Sequence, residues 1–145
     1  MKIPEYRISL VRERVLSYRK LDSSRSTAAV LHAMLDDADR EKIVTLYVNG
    51  VGELIGAEIV AIGSMHQCGV VAKDVFRGAI VGGAAAIILG HNHLSGDPTP
   101  SSADIDVTKM LSAAGALLGC KVLDHVIVSP NGRDKSMFDL GLIEA

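Results

Sequence analysis

Two histidines and one aspartate are spaced so that they could bind a single metal ion. His91 and His93 are two residues apart, and in an extended backbone residues i and i+2 point to the same side. Their imidazoles can then converge on one ion at about 2.0–2.1 Å. Asp104, in the first turn of a predicted helix, could supply a third, oxygen ligand. Two histidines and a carboxylate that leave one position for water are typical of a catalytic zinc site.

The same residues also have a purely structural interpretation. An isolated His-x-His pair is a weak signal for a metal, and Ser101-x-x-Asp104 is a capping-box pattern with Asp in place of Glu. The two roles are compatible, because a carboxylate at a helix N-terminus is stabilised in the ionised form that a metal requires. The joint spacing His-x-His-x7-Ser-x2-Asp is more specific than its parts and favours the metal site.

The elements around these residues suit a ligand site. Residues 86–90 form a short, wholly apolar predicted strand, a loop covers 91–100, and a helix capped by Ser101 runs over 102–118. Ligands of open α/β sheets bind beyond the carboxyl ends of strands. The candidate ligands therefore lie where such a fold places its site.

The rest of the chain is predicted as alternating strands and helices. The patterns indicate a strand, at a sheet edge, over residues 6–10, a helix from 23–26 to about 37, paired strands over 43–48 and 53–62, a helix over 75–85 capped by Asp74, and a strand over 121–129. This order predicts a single α/β domain, with a mixed sheet between helices. Residues 1–40 would be integrated with, or extend, a core domain of residues 41–145.

Composition excludes several classes of protein. The 145 residues carry a net charge of −2, and a chain of this length can fold without disulfides or a structural metal. Cys68 and Cys120 form no CxxC pair, which argues against a disulfide framework or a zinc knuckle. No apolar run approaches the roughly 20 residues of a membrane span, and no secretory signal is visible. We therefore expect a cytoplasmic protein without a membrane partner.

Charge is concentrated at the N-terminus. Residues 1–25 have a net charge of +4 and the remaining residues a net charge of −6. We call this segment the basic arm; its cations are Lys2, Arg7, Arg12, Arg14, Arg19, Lys20 and Arg25. It is either a solvated arm or a patch for an anionic partner such as nucleic acid. The few aromatic residues argue against a stacking platform for single strands.

The candidate site resembles a known motif. His91-x-His93-x7-Ser101-x2-Asp104 is similar to the JAMM motif of the JAB/MPN metalloprotease superfamily. More narrowly, the RadC family signature resembles the run His91-Asn92-His93-x-Ser95-Gly96-Asp97-Pro98-x-Pro100-Ser101-x-x-Asp104. The similarity continues in Gly63-Ser64, Val75-Phe76, Thr108, Leu111, Leu123-Asp124-His125-Val126-Ile127-Val128 and Ser136. The resemblance implies a JAB1/MPN fold, which is cytidine-deaminase-like in architecture, and Zn²⁺-dependent hydrolysis of amide bonds in peptides or proteins.

The resemblance also implies roles for individual residues. His91, His93 and Asp104 would hold Zn²⁺, and Ser101 would donate a hydrogen bond to the developing oxyanion. The family uses an upstream glutamate as general base; Glu58 fits its spacing better than Glu53, which lies beside a turn.

Asp124 and His125 are neighbours in a predicted strand, where each either has a structural role or contacts a metal ligand or the substrate. Leu94 and Lys73 stand where the family usually has Pro and Arg, and residues 1–40 do not resemble the helix-hairpin-helix segment of longer members.

Three functions stay open at this point. The first is a zinc peptidase or isopeptidase, and the second is a DNA-repair protein that acts on or binds nucleic acid. The third is a binding module that keeps the fold without catalysis, although such a module needs no open metal position. Zinc deamination is disfavoured because the chain lacks His-x-Glu and Pro-Cys-x-x-Cys motifs. An unpaired edge strand would allow a homodimer.

Overall fold

The computed structural model describes residues 1–14, 20–35, 37–65 and 69–144. In chain order, the elements of these residues are α1 (Ser24–Leu35), β1 (Lys42–Val48), β2 (Leu54–Ile62), α2 (Ala72–Val81), β3 (Ala86–Asn92), α3 (Ser102–Leu118), β4 (Lys121–Val128) and β5 (Asp134–Ser136). None of the helices in the described ranges is long and apolar enough to cross a bilayer.

The five strands form one mixed sheet in the order β2-β1-β3-β4-β5. β1 pairs antiparallel with both β2 and β3, and β5 pairs antiparallel with β4. β3 and β4 are parallel, and α3 makes the crossover between them. A parallel pair needs such a crossover, whereas β1 and β2 are joined by a short turn at Asn49-Gly50. The predicted hairpin and mixed α/β sheet are confirmed.

Helices cover both faces of the sheet, as the predicted three-layer architecture requires. On one face α1 packs against Val44, Leu46 and Ile88, and on the other α2 and α3 pack against Tyr47, Ile87 and Leu89. Successive residues of β1 and β3 thus alternate between two apolar cores, as side chains of a strand do. By this alternation His91 belongs to the face of Ile87 and Leu89, under α3.

Several predicted boundaries are wrong. Residues 1–14 form no strand, so the strand predicted over residues 6–10 is absent. The alternation of Tyr6, Ile8 and Leu10 does not bury a face; all three side chains are exposed. Arg19 and Cys68, named above from sequence, lie outside the described residues.

The start of α2 also differs from the prediction. The helix begins at Ala72 with Val71 as its N-cap, and no side chain caps it. Asp74 instead lies in the first turn, where its negative charge interacts favourably with the helix dipole and its carboxylate pairs with Arg77 at 3.6 Å. An acidic residue in the first turn and a capping residue give similar sequence signals, which explains the error.

β3 is longer than its apolar run. It continues through His91 and Asn92, because both residues pair with β4 and His91 also pairs with Ile43 of β1. A fully buried strand at the sheet centre holds these polar side chains in extended backbone. The loop therefore begins at residue 93, two residues later than predicted. β5 has only three residues and is too short to predict from alternation.

Gly90 tests the packing of α1 on the strand that carries His91. A Cβ on Gly90 would lie 2.3 Å from Cδ2 of Leu31, which is fully buried. We expect Gly90→Ala to lower the free energy of unfolding by about 1–3 kcal/mol, the usual effect of overpacking a core. Urea denaturation measures this. Gly50→Ala is the control, because nothing lies within 4 Å of a Cβ there. Equal stability of the two variants would contradict the packing.

Candidate metal centre

Three side chains meet where β3 ends and α3 begins. His91 is in β3, His93 follows the strand by one residue, and Asp104 is in the first turn of α3. Their ligand atoms all lie within 4.8 Å of one another. The structure therefore brings together the two histidines and the aspartate whose spacing predicted a metal site.

The distances suit a tetrahedral ion. Nε2 of His91 lies 3.3 Å from Oδ1 of Asp104, and Nε2 of His93 lies 3.1 Å from Oδ2. Two ligand atoms bound tetrahedrally at zinc distances are about 3.4 Å apart. Nε2 of His91 is buried and has no hydrogen-bond partner among the described residues. A buried nitrogen without a partner is costly, and an ion between it and the carboxylate would satisfy both groups. The residues fit a divalent metal.

A tight loop orients His93. Nδ1 of His93 donates to the carbonyl oxygen of Asp97 at 2.9 Å, so Nε2 faces Asp104. The carboxylate of Asp97 accepts a hydrogen bond from the amide of Thr99 at 3.0 Å, as in an Asx-turn. The Asp97 side chain thus forms a turn, and its carbonyl oxygen fixes the His93 ring.

Asp104 is held by the cap of α3. Its Oδ2 accepts from the amide of Ser101 at 2.8 Å, and Oγ of Ser101 accepts from the amide of Asp104 at 3.1 Å. The predicted capping box is confirmed. Burial alone would raise the pKa of Asp104, but the contacts with His91 and His93 and the Ser101 amide outweigh it and hold the pKa far below its ordinary range. Asp104 is thus ionised, as a metal ligand must be.

His125 contacts the far side of the His91 ring. Nδ1 of His91 lies 2.7 Å from Nε2 of His125, and Nδ1 of His125 lies 2.6 Å from Oγ1 of Thr108. The Thr108 hydroxyl also donates to the carbonyl oxygen of Asp104 at 2.6 Å. His125 is fully buried, and this burial holds its pKa well below the ordinary value. The neutral ring lies directly behind a candidate ligand.

Asp124 points away from this cluster. Its Oδ1 accepts from the amides of His125 and Phe138, and its Oδ2 accepts from the hydroxyl of Ser136. These bonds attach β4 to the C-terminal segment. Asp124 and His125 therefore have different contacts: His125 contacts His91 of the candidate metal site, and Asp124 holds β5 and the residues that follow it.

Comparison with known proteins identifies the family. The sequence profile of the RadC-like JAB domain matches residues 21–142. The chain belongs to this family. Similar curated proteins are the UPF0758 proteins of Methanosarcina mazei, Moorella thermoacetica and Carboxydothermus hydrogenoformans. They are 36%, 40% and 49% identical over 126, 128 and 92 residues respectively. The resemblance to the RadC family is confirmed.

The relatives are longer than the matched domain. The alignments cover 87%, 88% and 63% of this chain but 55%, 56% and 41% of the respective relatives. The chain thus spans about half the length of the curated relatives that it matches. The names of these relatives state no activity.

Glu58 of the RadC-like domain is engaged by α2 and β1. Its Oε2 accepts from the hydroxyl of Tyr47 at 2.7 Å, and its Oε1 accepts from Nη2 of Arg77 at 3.0 Å. The pKa of Tyr47 is raised by burial and by Glu58, and that of Arg77 is raised by Glu58. The role of Glu58 as general base stays a prediction. Glu53 is exposed beside the turn and accepts from the Asn49 side chain at 3.3 Å.

Glu41 lies beside the candidate site, in a position that sequence spacing alone does not reveal. β1 and β3 pair with Ile43 opposite His91, and continuing this antiparallel register by two residues brings Glu41 opposite His93. The charge of Glu41 contributes to raising the pKa of His93, after the larger effect of Asp104. Glu41 is half-buried. Only the register between two strands distant in sequence identifies it.

Asn92 holds the backbone on both sides of Glu41. Its Oδ1 accepts from the amide of Lys42 at 2.7 Å, and its Nδ2 donates to the carbonyl of Arg40 at 3.0 Å. The middle residue of the His-Asn-His run thus fastens the start of β1 beside the cluster. This fixes the position of the glutamate between them.

Asp104 allows metal binding to be separated from helix capping. Asp104→Asn keeps an oxygen that can accept from the Ser101 amide but loses the charge, so we expect zinc affinity to fall by more than about tenfold with little change in stability. Ser101→Ala should leave zinc affinity near wild type but lower the free energy of unfolding by about 1 kcal/mol, because the helix loses its cap. Chelator competition and thermal unfolding measure the two effects. Wild-type zinc affinity in Asp104→Asn would contradict the assignment.

Proposed function

We propose that this domain is a zinc-dependent hydrolase of amide bonds, a metallopeptidase or isopeptidase. The observation that carries the proposal is the buried Nε2 of His91, which has no hydrogen-bond partner in the part of the chain that the structure describes and faces the Asp104 carboxylate at 3.3 Å. When bound between His91, His93 and Asp104, Zn²⁺ would supply a Lewis acid that polarises a carbonyl and acidifies a water molecule. The donor set leaves a coordination position open, which distinguishes catalytic from structural zinc sites.

Substrate would reach the centre from the side of His93. The His93 side chain is 15% exposed, whereas those of His91 and Asp104 are 2% and 3% exposed. Leu94, next along the loop, is 42% exposed and offers an apolar surface beside this opening. A peptide segment with an apolar side chain next to the scissile bond suits this arrangement.

We assign the proton-accepting role to Glu41 in preference to Glu58. Glu41 directly precedes β1, where continuation of the pairing with β3 brings it opposite His93, and its charge contributes to raising the pKa of His93. The Glu58 carboxylate, in contrast, is paired with Arg77 and Tyr47. A base must lie within hydrogen-bond reach of the proton that it takes. Glu41 would accept the proton of the attacking water and return it to the leaving amine.

Ser101 can cap the helix and donate a hydrogen bond to substrate. In the cap its Oγ acts as an acceptor, toward the amide of Asp104. The hydroxyl hydrogen is not used by that bond, so it can point to the oxyanion that develops on the scissile carbonyl. Loss of one such donor typically reduces the rate by about 10²–10³.

Two glutamine variants test the function and the base together. The zinc-loaded protein is assayed on a panel of peptide, isopeptide and phosphodiester substrates. We expect amide cleavage, reduced about 10²–10⁴-fold by Glu41→Gln with zinc still bound, because the proton acceptor is lost. Glu58→Gln is the matched variant and should retain most activity while weakening the contact with Arg77.

The outcomes separate two errors. Loss of activity in Glu58→Gln alone would return the base role to Glu58. Absence of amide cleavage by the zinc-loaded wild type on the whole panel would contradict the hydrolase proposal.

Nucleic acid is the alternative partner, and the exposure of the basic arm favours it. Lys2, Arg7, Arg12 and Arg14 are all exposed. If the arm binds DNA, replacing Arg12 and Arg14 by Gln should weaken binding and lower the salt slope by roughly 0.9 per lost phosphate contact. Fluorescence anisotropy with duplex DNA at several salt concentrations measures this. The control replaces the exposed Lys109 and Lys135. Equal losses in both double variants would rule out a specific role for the arm.

A further inference from the structure

We propose that Thr108 and His125 are positioning residues that keep the ring hydrogen of His91 on Nδ1 and its Nε2 lone pair directed at the metal centre. The proposal deepens the proposed function, on which its metal-binding consequence rests. The hydrogen-bonding chain itself is a property of the metal-free fold. It runs from the Asp104 carbonyl through Thr108 and His125 to His91.

Hydrogen counting from the carbonyl end fixes the first two bonds. The carbonyl oxygen of Asp104 can only accept, and Oγ1 of Thr108 lies 2.6 Å from it. Thr108 has one hydroxyl hydrogen, which this short contact uses. Oγ1 therefore offers only a lone pair to Nδ1 of His125, 2.6 Å away, and Nδ1 must carry the hydrogen.

The roles of Nε2 of His125 and Nδ1 of His91 follow from these two bonds. A neutral His125 with its hydrogen on Nδ1 has a lone pair on Nε2. That atom lies 2.7 Å from Nδ1 of His91, so His91 donates and its own hydrogen is also on Nδ1. Nε2 of His91 is then bare, which agrees with its buried position without a hydrogen-bond partner among the described residues.

The opposite direction of donation along these hydrogen bonds conflicts with the observed distances. If His125 donated from Nε2, Thr108 would have to donate to its Nδ1. The oxygens of Thr108 and Asp104 would then face each other at 2.6 Å without a hydrogen between them. His91 would carry its hydrogen on Nε2, where it would block the metal. A chain of three contacts thus selects the tautomer that can bind an ion.

The geometry links both ligands to one turn of α3. Asp104 provides its carboxylate to the centre and its carbonyl to Thr108, four residues later on the same helix face. His125 reaches the cluster from β4, where it pairs with Leu89 of β3. Histidine ligands commonly donate their second nitrogen to a single acceptor. Here the acceptor is a second, fully buried histidine whose direction is set by a threonine.

The first test is made on the metal-free wild type. Long-range ¹H–¹⁵N NMR spectra of protein with ¹⁵N-labelled histidine distinguish the two neutral tautomers, and His91→Gln assigns the His91 signals. We expect the hydrogen of both His91 and His125 on Nδ1. A His91 ring with its hydrogen on Nε2 and none on Nδ1 would overturn the proposal, whatever the protein binds or cleaves.

The second test compares two substitutions at one position. Thr108→Val keeps the shape but removes the hydroxyl, whereas Thr108→Ser keeps the hydroxyl. We expect zinc affinity, measured by chelator competition, to fall by about 10–100-fold in Thr108→Val and to stay near wild type in Thr108→Ser. The visible spectrum of the cobalt-loaded protein should change only in Thr108→Val.

The results distinguish the role of the hydrogen-bonding chain from the proposed function. Equal zinc affinity in the valine and serine variants would overturn the role of Thr108 in this hydrogen-bonding chain, even if Thr108→Val lowers stability. If Thr108→Val does not fold, the wild-type tautomer still decides. If the protein binds zinc tightly and shows the expected tautomers but cleaves no amide substrate, the hydrogen-bonding chain is supported. Only the proposed hydrolase function is then contradicted.

Discussion

The centre of this molecule depends on a buried contact between an imidazole nitrogen and a carboxylate oxygen, which is favourable only with a cation or a proton between the two atoms. Nε2 of His91 and Oδ1 of Asp104 face each other at 3.3 Å, both in nearly fully buried side chains. Without an ion or a proton between them, a lone pair and a carboxylate oxygen in a medium of low dielectric repel each other and lack the hydrogen bonds of water. The rest of the fold holds this pair in place, which is the expected behaviour of a site preorganised for a cation.

Three elements share the work of holding the pair. β3 is paired on both sides, with β1 and β4, so the backbone of His91 cannot move independently of the sheet. The capping box fixes the first turn of α3 and orients the Asp104 carboxylate. Asn92 then attaches the start of β1, so that Glu41 meets the same end of the sheet. The site is built on regular elements, and only His93 depends on a loop.

The sequence predicts the parts of this arrangement that are local in the chain. The run from His91 to Asp104 contains two metal-ligand spacings and a helix cap, and each is governed by geometry over a few residues. The helix over residues 102–118 and the antiparallel strand pair were predictable for the same reason. The strand predicted over residues 6–10 fails, because alternation indicates a strand only where a partner covers the apolar side.

The non-local parts could not be predicted from one sequence. Glu41 joins the site through the register of β1 with β3, across 50 residues of chain. Thr108 and His125 become partners because α3 lies over the parallel pair β3–β4. From sequence, His125 was either a structural residue or a neighbour of a metal ligand, because a histidine in an apolar strand has the same pattern in either case. Its contact with His91 through a specific nitrogen is visible only in three dimensions.

The two histidine ligands differ in how firmly their tautomers are set. His91 is oriented through buried side chains of β4 and α3, whereas His93 is oriented by the carbonyl of Asp97 in an exposed loop. The first arrangement can change only if the core opens, while the second can change with a local movement of the loop. An ion would therefore enter and leave past His93, with His91 and Asp104 as the fixed side of the centre. In the proposed function the same opening would admit substrate, so the more exposed histidine would serve both metal exchange and access to the scissile bond.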